Sequence, residues 1–217
     1  GAREVTNMVI EPKVRGFICT TAHPEGCAKS VLAQINTAKK YAGKITAAKR
    51  ALVIGGSTGY GLASRIALAF GGGASTLNVM FERPASGVRT ATAGWYNTAA
   101  FEREAAKSGL YAKSVNGDAF SQEIKNRVIE AIKRDLGTVD AVIYSLASPR
   151  RTLPDGTVAN SVLKTVDENF TNKTIDLRTN EVGEVTVTPA TPYEIDATIK
   201  VMGGEDWAAW ITALKDE

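Results

Sequence analysis

Apolar positions along this chain follow two rhythms in turn. Short runs of strand formers occupy 52–54, 76–81, 110–115 and 139–144. Between them, apolar residues recur at helical spacing: Leu62, Ile66, Ala69 and Phe70, then residues 98–107, then Ile124, Val128 and Ile132. Glycines at 71–73 and at Gly137 close two of these helices. Strand and helix in strict alternation imply parallel strands joined by crossover helices, hence an α/β, Rossmann-like doubly wound sheet. Upstream, 14–21 reads as one strand. His23, Pro24 and Gly26 turn the chain into a helix with Val31, Leu32, Ile35 and Ala38 on one face. Residues 83–96 read as a long loop bearing Trp95 and Tyr96, with Asn97 capping the next helix. Beyond 151 the alternation stops. Runs at 170–177 and 184–188 suggest a hairpin, and Thr191-Pro192-Tyr193-Glu194 is a capping box with proline at the first helical position. A last helix places Trp207, Trp210, Ile211 and Leu214 on one face. The expected division is an N-terminal extension over 8–50, a core over 51–150, and an incomplete C-terminal extension over 151–217.

The first strand of the core breaks into four glycines between Gly55 and Gly61 before its helix begins. Unpaired amides and the helix dipole favour a diphosphate there, and glycine lets the backbone close in on it. The Gly-x3-Gly-x-Gly spacing is that of short-chain dehydrogenases and reductases, and no Lys-Ser or Lys-Thr follows to make a nucleotide triphosphate loop. The second strand ends in Glu82, about 20 residues past the last glycine, where such folds place an acid for the adenosine ribose. A carboxylate there repels a 2′-phosphate; Arg83 beside it is a residue type that accepts one. Asp118, past the third strand, is placed either to meet an adenine amino group or to cap the following helix. Ser145-Leu-Ala-Ser-Pro149 follows the fourth strand, and Arg150-Arg151 is a phosphate contact or a solvated pair.

Composition narrows the partners. The chain has 217 residues, 44% of them hydrophobic, enough for one large domain or a domain plus an extension. Its net charge of +3 is mild and its basic residues are scattered, so no nucleic-acid partner is expected. Two cysteines, Cys19 and Cys27, imply no disulfide framework and a cytoplasmic setting. No apolar run approaches the ~20 residues of a membrane helix. Cys19, His23 and Cys27 are spaced four apart, but Pro24 and Gly26 are expected to break the helix that would align them, and a fourth ligand is missing; no metal site is assigned. Residues 1–7 are expected to precede a natural start at Met8.

Taken together, several stretches resemble the FabV-type trans-2-enoyl reductases, which reduce enoyl thioesters on acyl carrier protein or coenzyme A with NADH in fatty acid synthesis. They are Arg-Gly-Phe-Ile-Cys-Thr-Thr at 15–21, His23-Pro24, the glycine turn at 55–61, Thr-Ala-Gly-Trp-Tyr-Asn at 92–97, Tyr-Ser-Leu-Ala-Ser-Pro at 144–149 and Val-Met-Gly-Gly-Glu-Asp-Trp at 201–207. The resemblance implies that Gly55, Gly56, Ser57, Thr58, Gly59 and Tyr60 bind the pyrophosphate and ribose of NADH. It implies that Phe81 and Glu82 hold the adenosine end, with Glu82 favouring NADH over NADPH. Asp118 and Ala119 would line the adenine pocket, and Leu146 and Ala147 would lie beside the nicotinamide ribose. It also implies a parent that is usually monomeric. In that family the chemistry depends on a tyrosine followed nine positions later by a lysine. Neither that pair nor the Tyr-x3-Lys pair of ordinary short-chain reductases occurs in this sequence. The expectation is therefore the N-terminal part of an NADH-dependent enoyl reductase, inactive by itself. The alternative is a non-catalytic module that binds or senses dinucleotide. A methyltransferase using S-adenosylmethionine also places an acid after its second strand, but its glycine spacing differs.

Overall fold

The computed structural model describes residues 9–16, 18–44 and 48–215. The start at Met8, Phe17 within the first matching stretch, and the chain end at Glu217 lie outside these residues. Residues 14–21 do not form one strand. Gly16 turns the chain at φ 60°, and β1 (Val14–Arg15) pairs antiparallel with β2 (Ile18–Cys19). The following helix, α1 (Pro24–Lys39), starts earlier than expected. His23 caps it by accepting the Gly26 amide on Nδ1, and Pro24 occupies the first turn, where its missing N–H has no intrahelical partner to lose. Proline and glycine here begin the helix rather than break it. Val31 and Ile35 are buried, whereas Leu32 faces outward at 40% exposure.

The core is a sheet of four parallel strands, β3 (Arg50–Ile54), β4 (Ser75–Met80), β5 (Ala112–Asn116) and β6 (Ala141–Tyr144), in the order β5-β4-β3-β6. The register runs Ile54↔Val79 on one side of β3 and Ile54↔Tyr144 on the other, so three strands end level. Helix α2 (Gly59–Ile66) passes directly into a π turn at Ala67–Gly71. Helices α3 (Ala93–Lys107) and α4 (Gln122–Asp135) make the next two crossovers. Side chains alternate across β3. Leu52 and Ile54, with Leu77 and Val79, pack on Ile124, Val128 and Ile132 of α4 and on Trp210. On the opposite face α1, α2 and α3 share a cluster of Val31, Ile35, Leu62, Ile66, Phe70 and Phe101, with the two phenylalanine rings edge to face at 5.6 Å. Residues 51–54 of β3 are all wholly buried; at about 2 kcal/mol per buried aliphatic side chain this places β3 at the centre of the sheet.

Beyond the sheet, β7 (Arg150–Thr152) and β8 (Val158–Asn160) make a small antiparallel pair that the sequence reading passed over. Its signal is the Pro-Asp-Gly turn at 154–156, where Asp155 accepts the Thr157 amide and hydroxyl. The longer pair β9 (Phe170–Ile175) and β10 (Val182–Val187) is the expected hairpin. Helix α5 (Pro192–Met202) begins with the expected capping box, Thr191 and Glu194 each accepting the other's amide. In α6 (Glu205–Lys215), Trp210 is fully buried and Leu214 packs on the core, but Ile211 is 46% exposed and lies off that face.

Candidate functional site

Doubly wound sheets open a crevice beyond the carboxyl ends of their strands, where the strand order reverses. Here that point lies between β3 and β6, and an open cleft of about 830 Å³ lies there, extending past the ends of β4 and β5. The cleft is lined by Gly55, Ser57, Thr58, Gly59 and Tyr60 from the glycine turn, Phe81 and Glu82 after β4, Asp118 and Ala119 after β5, and Leu146 and Ala147 after β6. Of the residues that the resemblance assigns to the cofactor, all but Gly56 line this cleft; the Gly56 amide is turned back to Asn78 Oδ1 at 2.9 Å. Gly55 shows why this turn needs glycine. Its φ is 85°, and a Cβ would run into the Ser145 carbonyl just past the end of β6. Thr58 is the N-cap of α2 but makes no side-chain cap bond, which leaves the first-turn amides of α2 facing the cleft. Tyr60 and Phe81 stand on the rim, 88% and 77% exposed.

Glu82 is more firmly held than its position at a strand end suggested. Its backbone pairs both ways with the Asn116 side chain at 2.8 Å. One carboxylate oxygen accepts from Ser57 Oγ at 2.5 Å, and the other accepts from Thr92 Oγ1. Thr92 is the N-cap of α3, so that helix begins at Ala93 and not after Asn97. The 83–96 loop is correspondingly shorter, and Trp95 and Tyr96 belong to the first turns of α3. Tyr96 anchors the loop by accepting the Ala91 amide on its hydroxyl, and Asn97 donates to the Ser57 carbonyl at 3.1 Å. Arg83 does not reach the cleft; its guanidinium donates to Thr90 O at 3.2 Å. Asp118 does not cap α4. Its Oδ1 accepts the Phe120 amide, and Ser121 is the cap. The arginine pair splits as well: Arg150 lines the cleft, while Arg151 is buried against the Lys200 carbonyl and Glu205.

Two buried polar networks lie behind the cleft, and neither is evident from the sequence. Arg65, wholly buried in α2, donates to Thr76 Oγ1, Ser114 Oγ and Lys113 O, and burial pushes its guanidinium down to about 10. Ser114 also accepts from Asn78 and donates to Glu102 at 2.6 Å, so the network reaches the Gly56 amide. On the other face, Lys125 of α4 pairs with Asp206 of α6 at 2.7 Å. Asp206 in turn accepts from the Tyr144 hydroxyl at 2.8 Å. Lys125 and Trp210 both donate to the Ala119 carbonyl at 3.1 Å, which ties the cleft wall to α6. Burial and the Asp206 carboxylate push the Tyr144 phenol well above its ordinary value. The signals were present but slight: Arg65 and Lys125 each sit three residues from a member of an apolar stripe, Leu62 and Val128.

Among the described residues no three histidine, cysteine or acidic side chains are grouped to hold a metal, and no helix is long and apolar enough to cross a membrane. Cys19 and Cys27 are free thiols.

Two family models match the chain. The NAD(P)H binding domain of trans-2-enoyl-CoA reductase matches residues 9–87, and the trans-2-enoyl-CoA reductase catalytic region matches residues 89–217. The boundary between them falls between β4 and β5, which are hydrogen-bonded neighbours in one sheet. The chain is 60% identical over 209 residues to a trans-2-enoyl-CoA reductase [NADH] of Ruminiclostridium cellulolyticum, covering 96% of this chain and 53% of that protein. It is 59% identical over 211 residues to an enoyl-[acyl-carrier-protein] reductase [NADH] of Flavobacterium johnsoniae, covering 97% and 53%. A crystal structure of Treponema denticola trans-2-enoyl-CoA reductase in complex with NAD superposes with a TM-score of 0.92 at 48% identity, over 96% of this chain and 54% of that one. The chain spans about half the length of the relatives it matches.

Proposed function

From the premise that the chain belongs to the trans-2-enoyl-CoA reductase family, we propose that it is the cofactor-binding part of an NADH-dependent reductase of trans-2-enoyl thioesters, carried on coenzyme A or acyl carrier protein. The observation that carries this reading is the convergence of the glycine turn, Glu82, Asp118, Ala119, Leu146 and Ala147 on one cleft at the strand-order reversal. The names of the relatives, which specify NADH, support the choice of cofactor.

The residues fit such a group. The first-turn amides of α2 offer donors and a dipole to a diphosphate, and Gly59, which lines the cleft with nothing within 4 Å of where a Cβ would stand, leaves the approach open. Glu82 would accept from the adenosine ribose hydroxyls, while Asp118 and Ala119 would bound the adenine side. Leu146 and Ala147 bound the nicotinamide side. Bound NADH supplies a hydride to the β-carbon of the unsaturated thioester. The charge that builds on the thioester oxygen then needs a proton or hydrogen-bond donor. Tyr144 is poorly suited to be that donor, because its proton is directed at Asp206 and its raised pKa makes it a weaker acid. No tyrosine of this sequence has a lysine nine positions on. We therefore assign residues 51–150 to cofactor binding and no catalytic donor to this chain.

Calorimetric titration with NADH, paired with an assay of crotonyl-CoA reduction, tests the reading. NADH is expected to bind, and the 217-residue chain alone is expected to turn over little or nothing. Failure to bind NADH would overturn the proposal. Reduction at an ordinary enzymatic rate would overturn the account of the missing donor. Binding without reduction by the full-length parent would leave the non-catalytic module as the better reading.

A further inference from the structure

The surroundings of Glu82 carry an inference that rests on the NADH reading and deepens it. Three groups converge on one carboxylate. Ser57 Oγ donates to Oε1 at 2.5 Å, Thr92 Oγ1 donates to Oε2, and Gly94 leaves the space that Oε1 occupies. A Cβ on Gly94 would overlap the Glu82 carboxyl group and lie 2.7 Å from Ser57 Oγ. Gly94 is in the first turn of α3, a helix of 15 residues, so the carboxylate lies against a helix N-terminus whose unpaired amides attract an anion. Thr92 is the N-cap of that helix, yet its side chain makes no cap bond. Its hydroxyl donates to Glu82 instead and accepts from the Arg83 amide at 3.3 Å. Arg83, the neighbouring cation, is drawn away to Thr90.

We propose that Ser57, Thr92 and Gly94 form a socket that fixes Glu82 as a built-in anion at the N-terminus of α3, and that this socket, not the carboxylate alone, makes the site select dinucleotides with a free 2′-hydroxyl. The physical logic is one of occupancy. A helix N-terminus flanked by two hydroxyls suits a phosphate, and the 2′-phosphate of NADPH would seek such a place. Glu82 already fills it. A carboxylate has about four lone-pair positions, so two hydroxyl donors leave about two free to accept from a diol. Held still, the carboxylate presents these at fixed positions and cannot swing aside for a competing anion. Ser57, Thr92 and Gly94 are thus positioning residues for cofactor selection.

The test compares dissociation constants for NADH and NADPH, measured by calorimetry on the purified chain. Thr92→Val keeps the shape and removes the hydroxyl. Because Thr92 makes no cap bond, this change leaves the capping of α3 as it is, although the Arg83 amide also loses its Thr92 Oγ1 acceptor at 3.3 Å. It is expected to lower the preference for NADH by about tenfold, the scale of one hydrogen bond to a charged group. Thr92→Ser, which restores the hydroxyl, is expected to return the preference to within about twofold of the parent. Gly94→Ala is expected to act in the same direction as Thr92→Val by displacing Oε1. An NADH to NADPH ratio unchanged in both Thr92→Val and Gly94→Ala, while NADH still binds, would overturn the socket and leave the cofactor reading standing. A parent chain that binds neither dinucleotide would overturn both.

Discussion

At the scale of single residues, buried charge is the feature with the largest expected effects. Lys125 and Asp206 are 4% and 2% exposed and pair across two helices. Lys125→Met leaves Asp206 as an unpaired buried carboxylate and should destabilise the chain by about 3–5 kcal/mol, whereas a double variant apolar at both positions should recover most of that loss. Urea unfolding midpoints of the single and double variants check this. Asp135 gives a pH-dependent counterpart. Hydrogen bonds from Arg134, Tyr111 and Lys113 hold its carboxyl well below the ordinary carboxylate value. A carboxylate whose pKa is depressed by folding stabilises the native state above its unfolded value, near 4, and ceases to do so as pH falls towards the folded value. The parent chain should therefore be more stable than Asp135→Asn at neutral pH, and the gap should close progressively below about pH 4 in denaturant titrations. The sequence marked Glu82 and Asp118 because an acid at a strand end, at a fixed distance from a glycine turn, stands out locally. Arg65, Lys125 and Asp206 do not stand out in the sequence, because part of what makes them tolerable inside is remote: Ser114 lies 49 residues from Arg65, and Lys125 and Asp206 lie 81 residues apart.

Among elements, the turn from β3 to α2 is the least tolerant. Gly55→Ala combines a left-handed backbone with a collision against the Ser145 carbonyl, and is expected to lose about 1–3 kcal/mol of stability and to abolish NADH binding, as unfolding and titration would show. The strands and helices of the core were legible because strand and helix periods alternated without interruption from 51 to 144. The start of α3 was misplaced for a chemical reason: the hydroxyl that would normally announce the helix by capping it is turned to Glu82. At the N-terminus, strand formers over 14–21 conceal a turn at Gly16, and at α1 the proline, a breaker in a helix interior, sits in the first turn, where it suits the helix. The β7–β8 pair has only three residues in each strand, too few for alternation to register.

Seen as a whole, the molecule is unevenly buttressed. The parallel sheet is covered on both faces, while most residues of the β9–β10 hairpin are exposed, with Val182 at 66% and Phe170 at 48%. Two strands without a covering layer are marginal in water. Amides of β9 and β10 should exchange with solvent far sooner than those of β3, with protection factors differing by orders of magnitude in a hydrogen-exchange time course. The doubly wound order could be anticipated from the sequence because each crossover is local; the attachment of α6 to the cleft wall through Trp210 and Ala119 could not, since 91 residues separate donor and acceptor. That same indole supplies the protein with an internal lamp. Tryptophan emission overlaps the absorption band of a reduced nicotinamide ring, so light absorbed by Trp207 or Trp210 would pass by energy transfer to a dinucleotide in the neighbouring cleft. Quenching of the native fluorescence, with a new glow at longer wavelength, would report occupancy without any label attached.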